Sequence, residues 1–125
     1  MERRLFVAFM MLLLTLLLAG GQAAAQEQIV CQAQGTLNLT GTLNSIQCWS
    51  GSGTLLWSVS AVNSTTLQIE YVPDTDTYQV AVNPGYHNHQ CDTDSGGDPN
   101  ACLDLYQGTE GTNTLAVSMV GTEKE

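Results

Sequence analysis

Beyond residue 25 the chain has no arginine, no phenylalanine and a single lysine, Lys124, near its tail. Removing Arg3, Arg4 and Glu2 with the leader leaves one basic side chain against eleven acids, a net charge of −10 where the whole chain carries −9. A surface so poor in cations cannot neutralise a row of phosphates, which excludes nucleic acid and anionic lipid as direct partners. It also offers no arginine clamp for phosphoryl transfer. The chain contains no GxSxG elbow, no HExxH pair and no glycine-rich phosphate loop, so the expectation is that it is not an enzyme. Glu70 with Asp74 or Asp76 is a carboxylate pair of the kind acid–base chemistry uses, but in "EYVPDTD" the plainer reading is a polar turn.

The one long apolar run is at the N-terminus. Residues 1–25 combine basic Arg3 and Arg4, an apolar stretch from Leu5 to Ala19 and the small residues Ala23, Ala24 and Ala25, the pattern of a secretory signal peptide cleaved after Ala25. Gly21 stands where a bacterial lipoprotein needs its cysteine. The apolar stretch is shorter than the roughly 20 residues a spanning helix requires. If it were nonetheless retained as an anchor, the protein would be an accessory subunit of a membrane complex. Residues 26–125 are expected to form a single domain that is secreted, periplasmic or displayed at the cell surface.

Cysteine is sparse and even in number. Cys31, Cys48, Cys91 and Cys102 all lie beyond the leader, which reads as two disulfides in an oxidising compartment. Of three connectivities, Cys31 with Cys48 and Cys91 with Cys102 is preferred, because neighbours in sequence close small loops.

Period-two alternation dominates the rest. From Ile29 to Leu43 the odd positions are apolar or small and the even ones from Gln32 to Thr42 are Gln, Thr or Asn, predicting a long strand with a bend, bulge or turn at Gly35 or Gly41. The same pattern recurs in "TLLWSVSAV", "TLQIEYV", "TYQVAV" and "TLAVSMV", separated by "SGSG", "NS", "PDTD", "NPG" and "GTEGTN" turns. Asp98, Pro99 and Gly108 would bracket a short helix, yet Leu103 and Leu105 alternate with Asp104 and Tyr106, so a strand is expected there, after at most one helical turn. The fold expected is a small all-β antiparallel β-sandwich, Ig-like in architecture, with a small β-barrel as the alternative.

Both histidines fall in "GYHNHQCDTDSGGDPNAC". On a strand, His87, His89 and Cys91 point to one side of the sheet, and imidazole with thiolate suits zinc or copper. A Cys91 tied to Cys102 offers no thiolate, however, so a transition metal would need His87 and His89 completed by Asp92, Asp94 or a residue from elsewhere. Asp92, Asp94 and Asp98 form a second candidate set, for calcium, although the spacing is not that of an EF-hand. The reading preferred over both is a solvated acidic loop closed by a disulfide.

The remaining aromatics are Trp and Tyr, which suit places where a ring meets apolar neighbours and water together. Trp57 and Tyr71 fit inward positions beside Leu55, Val59, Leu67 and Ile69. Trp49 and Tyr86 are the expected exposed rings, a candidate binding surface for a glycan. "NLT" at Asn38 and "NST" at Asn63 are glycosylation acceptors in a host with that machinery. Strands whose outer faces carry Thr, Asn and Gln are weakly guarded against strand-edge pairing, so a homo-oligomer is an expected assembly. Together these features point to a non-enzymatic binding or structural module of the cell envelope with a protein or glycan partner, the rivals being a secreted metal-binding protein and a carbohydrate-binding module.

Overall fold

The structure is a computed structural model that describes residues 26–40, 44–93, 96–97 and 99–124. The leader, Gly41, Asp94 and Asp98 lie outside the described residues. Eight strands follow one another: β1 (Glu27–Asn38), β2 (Ser45–Trp49), β3 (Leu55–Ala61), β4 (Thr66–Tyr71), β5 (Asp76–Ala81), β6 (His87–Thr93), β7 (Pro99–Gly111) and β8 (Thr114–Lys124). One 3-10 turn, Val72–Asp74, links β4 to β5. Among the described residues no helix is long and apolar enough to cross a membrane.

The strands form two antiparallel four-stranded sheets, β1-β8-β7-β6 (sheet I) and β2-β3-β4-β5 (sheet II). Followed around the molecule they come in chain order, and consecutive strands change sheet at two places, between β1 and β2 and between β5 and β6. These two seams make the molecule a sandwich rather than a closed barrel. Strand direction alternates throughout, so the β2–β3, β4–β5 and β6–β7 connections share one end and the β1–β2, β3–β4, β5–β6 and β7–β8 connections the other.

Alternation explains the core. Leu37, Trp57, Val59, Leu67, Ile69, Leu103, Leu105, Leu115, Val117 and Met119 are buried, spaced by alternation along their strands, although Leu56 beside Trp57 and Cys102 beside Leu103 are buried as well. Trp57 and Tyr71 meet there with ring centroids 4.8 Å apart. The disulfides are Cys31–Cys48 and Cys91–Cys102, and no described cysteine is free. The protein is a disulfide-stabilised β module, and two disulfides fit an oxidising compartment.

Two expectations differ in detail. The long first strand ends at Asn38, short of Gly41, which lies outside the described residues; Gly35 carries no irregularity, and one falls between Ile29 and Cys31, where Ile29 is 63% exposed. Gly35 stays in register opposite Val117, because its lack of a side chain serves a close approach: a Cβ there would sit 3.1 Å from Ile46 Cδ1 of β2. Second, "SIQCW" forms β2, a strand of 5 residues not among those expected, with Ile46 and Cys48 inward and Ser45, Gln47 and Trp49 exposed. As expected, β7 is a strand, extended from Pro99 onward with no helical turn. Extended backbone sends both Leu103 and Leu105 into the core, whereas a helix would split them between faces.

Candidate functional site

Two clusters gather the polar chemistry of the chain, one on the outer face of sheet I and one at the β5/β6 seam. The first is set by register. Cys91 of β6 stands directly opposite Cys102 of β7, so two and four residues further along the hairpin His89 faces Asp104 and His87 faces Tyr106. His87 and Tyr106 stack with centroids 4.5 Å apart and an interplanar angle of 5°. Asp104 Oδ1 lies 2.7 Å from His87 Nε2 and 2.8 Å from His89 Nδ1, accepting an N–H hydrogen bond from each ring. Burial works to raise the Asp104 carboxyl, but hydrogen bonds from His89 and His87 outweigh it and hold it below the ordinary value. The remaining nitrogen of His89, Nε2, is 3.2 Å from Cys91 Sγ.

This geometry revises the metal reading of the histidines. Asp104 takes the place expected of Asp92, because side chains alternate: His87, His89 and Cys91 face outward, while Asp92 faces the opposite side and is 0% exposed. His89, Cys91 and Cys102 do gather their ligand atoms within 4.8 Å of one another, but with both sulfurs in the disulfide they present no thiolate. Asp94 and Asp98, the other proposed ligands, lie outside the described residues.

Beside Tyr106 the outer face of sheet I dips into an open depression of about 450 Å³, bordered by Gln34, Thr36, Tyr106, Gly108, Ala116 and Ser118. Its floor is low because Gly108 lies against Ala116, where a Cβ would come within 3.1 Å of the Ala116 methyl. Tyr106 is 45% exposed, and no charged side chain borders the depression. Trp49 and Tyr86 are exposed as expected, at 51% and 56%. They do not share a surface. Trp49 ends β2 in sheet II, and Tyr86 precedes β6 of sheet I at the other end of the sandwich.

The second cluster closes the β5/β6 seam. Tyr78 of β5 donates its hydroxyl to Asp92 Oδ1 of β6 at 2.6 Å. Gln107, a buried amide of β7, reaches across: its Nε2 donates to the Ala81 carbonyl at 2.9 Å and its Oε1 accepts from the Asn83 amide at 2.6 Å. The backbone of Gln107 also exchanges hydrogen bonds with Gly85 and Tyr86, so one residue fixes the whole β5–β6 connection. Asp74, Asp76 and Asp92 bring one carboxylate oxygen each within 4.8 Å of one another.

Asp92 Oδ2 is buried with no donor among the described residues. Contact with the Asp92 carboxylate raises both Asp74 and Asp76 above the usual carboxylate range. Burial pushes Asp92 up, but the hydrogen bond from Tyr78, with the approach of Asp76 and Asp74, outweighs it and lowers it. Tyr78 is raised by burial and by its bond to Asp92. Tyr71 is pushed up to about 12 by burial, then by the nearby charges of Glu123 and Asp74.

Asp104, Tyr106, Tyr78 and Gln107 were not singled out from sequence. A signal for the first two existed: reading Cys91–Cys102 as a directly opposed pair fixes the hairpin register and places Asp104 and Tyr106 across from the histidines. The Tyr78–Asp92 and Gln107 contacts had no such signal, because they join strands that are not paired in a sheet. In comparison with known proteins, no family model, no curated protein and no solved structure matches this chain.

Proposed function

We propose that the chain is a non-enzymatic binding module, exported to the periplasm, cell surface or medium, whose working surface is the outer face of sheet I around Tyr106. The observation that carries this reading is the depression beside Tyr106, an aromatic wall facing amide and hydroxyl groups with no charged border. An exposed ring held by stacking on His87 loses little freedom on binding, and the Cys91–Cys102 disulfide stiffens the same hairpin. A glycan is the ligand class this chemistry favours, because a ring face packs on the apolar side of a sugar while Gln34, Thr36 and Ser118 can hydrogen-bond its hydroxyls.

The carbohydrate surface considered from sequence was led by Trp49 and Tyr86. The present reading moves it to Tyr106, with Tyr86 at the neighbouring loop. A retained leader would present the same surface as an accessory subunit of a membrane complex.

Binding of cell-envelope polysaccharides and of envelope protein extracts to the chain from Gln26 onward, measured by calorimetry with wild type, Tyr106→Ala and Trp49→Ala, tests the proposal. Saturable polysaccharide binding that Tyr106→Ala weakens at least tenfold and Trp49→Ala leaves intact supports it. Binding confined to a protein partner would retain the surface and replace the ligand class. Binding that depends on Trp49 alone, or turnover abolished by changing one carboxylate, would overturn it.

A further inference from the structure

We propose that Asp74, Asp76 and Asp92 form a binding site for one hard divalent cation of the calcium class at the β5/β6 seam. The site is separate from the sheet I surface and uses different residues. Three independent elements supply it: the 3-10 turn Val72–Asp74, the first residue of β5 and the end of β6. A ligand held between them would tie sheet II to sheet I where no disulfide does.

Four observations support a cation. The three carboxylates converge, with one oxygen of each within 4.8 Å of the others. Asp92 is 0% exposed, and its Oδ2 has no donor among the described residues, although a buried carboxylate oxygen ordinarily has one. Its other oxygen is already taken by Tyr78, which fixes the orientation of the carboxylate. No protein cation compensates the cluster: among the described residues the ion pairs are those of His87 and His89 with Asp104, on the outer face of sheet I.

Donor chemistry selects the ion. All three ligands are carboxylate oxygens, with no imidazole or thiolate, and hard oxygen donors suit calcium or magnesium rather than zinc or copper. Asp74 and Asp76 are exposed and leave room for water in the coordination shell, and Thr75 between them turns through the left-handed region at φ 58°, so the two carboxylates flank a tight corner. Calcium tolerates such an irregular, partly hydrated shell better than magnesium does. Affinity in the range of extracellular modules is expected, a dissociation constant on the order of 10⁻⁴–10⁻³ M.

The test is calcium titration by calorimetry and thermal melting of the chelator-treated chain from Gln26 onward, with magnesium and sodium chloride at matched ionic strength. The expected result is one calcium per chain, a rise in Tm that sodium does not reproduce, and at least tenfold weaker binding in Asp76→Asn and Asp92→Asn. Asp104→Asn, which removes a carboxylate elsewhere on the surface, should bind as wild type does. If Asp92→Asn fails to fold, Asp74→Asn and Asp76→Asn, both at exposed positions, decide the matter alone. No uptake at millimolar calcium, equal losses in Asp76→Asn and Asp104→Asn, or preferential binding of zinc or copper would overturn the proposal.

Discussion

The two seams join the same pair of sheets by opposite means. Between β1 and β2 the connection is covalent and apolar: Cys31–Cys48 spans it with a Cα–Cα distance of 5.5 Å, Ile46 lies over Gly35, and Gly121 of β8 lets the disulfide and Trp57 come close to its backbone. Between β5 and β6 it is polar, made of the Tyr78–Asp92 hydrogen bond, the reach of Gln107 to β5, and a carboxylate cluster. An apolar joint stabilises through burial, and here it encloses the neutral Trp57 indole N–H with no acceptor among the described residues, a smaller cost than an unpaired carboxylate oxygen. A polar joint is stable only when every buried donor and acceptor is satisfied, so an unsatisfied oxygen there points to a missing partner. The second seam is therefore where a ligand is to be sought, and the first is where the fold is held.

The largest expected effect tests that division. The Cys31→Ala, Cys48→Ala double variant should lose about 2–5 kcal/mol in urea unfolding. The chain-entropy relation gives about 3 kcal/mol for a loop of either size, so by loop entropy alone the two disulfides are equivalent. Cys91→Ala with Cys102→Ala should nonetheless cost less, because the β6–β7 ladder already holds those strands in register. A greater loss from the second pair would mean that the covalent seam is not the main clamp.

At the polar seam, Tyr78→Phe removes the donor to a buried carboxylate and should destabilise by roughly 1.5–3 kcal/mol, as hydrogen bonds to charged groups do. If Asp74 and Asp76 serve a cation, saturating calcium should restore part of that loss; no recovery would separate the hydrogen bond from the ion site. At the apolar seam, Gly121→Ala would place a Cβ 2.5 Å from Cys31 Sγ and 3.3 Å from Trp57 Cδ1, and should cost about 1–3 kcal/mol by overpacking. A neutral Gly121→Ala would show that the disulfide and Trp57 can move apart there.

Alkali should weaken the acid-rich end of the molecule. Tyr71 is raised to about 12 in the folded protein, so its contribution is fully present below the unfolded value of about 10 and is lost as pH climbs through 12. Melting curves across that range, compared with Tyr71→Phe, should show the wild type losing stability more steeply than the variant. Equal slopes would discount the surrounding carboxylates. The smallest effect belongs to the exposed outer face, where His89→Ala removes one of two imidazoles on Asp104 and should change stability by about 0–1 kcal/mol while leaving calcium binding untouched.

Much of this architecture is legible residue by residue. Alternation in "TLQIEYV" and "TLAVSMV" declares half-buried strands, the turn residues between them mark the hairpins, and the even cysteine count with short spacings favours the pairing found. Asp104 and Tyr106 were recoverable in principle from the Cys91–Cys102 register. The carboxylate site was not: "PDTD" reads as an ordinary turn, and Asp92 as one member of an acidic loop.

Local composition and periodicity thus determined the class of fold and the inward and outward faces of most strands, because each depends on residues near one another in the chain. Only the tertiary structure decided that Asp92 turns away from the histidines, that Trp49 and Tyr86 lie at opposite ends, and that Asp74, Asp76 and Asp92 converge. Those facts follow from how two sheets pack across seams that carry no ladder of backbone hydrogen bonds, and no sequence period encodes such a contact.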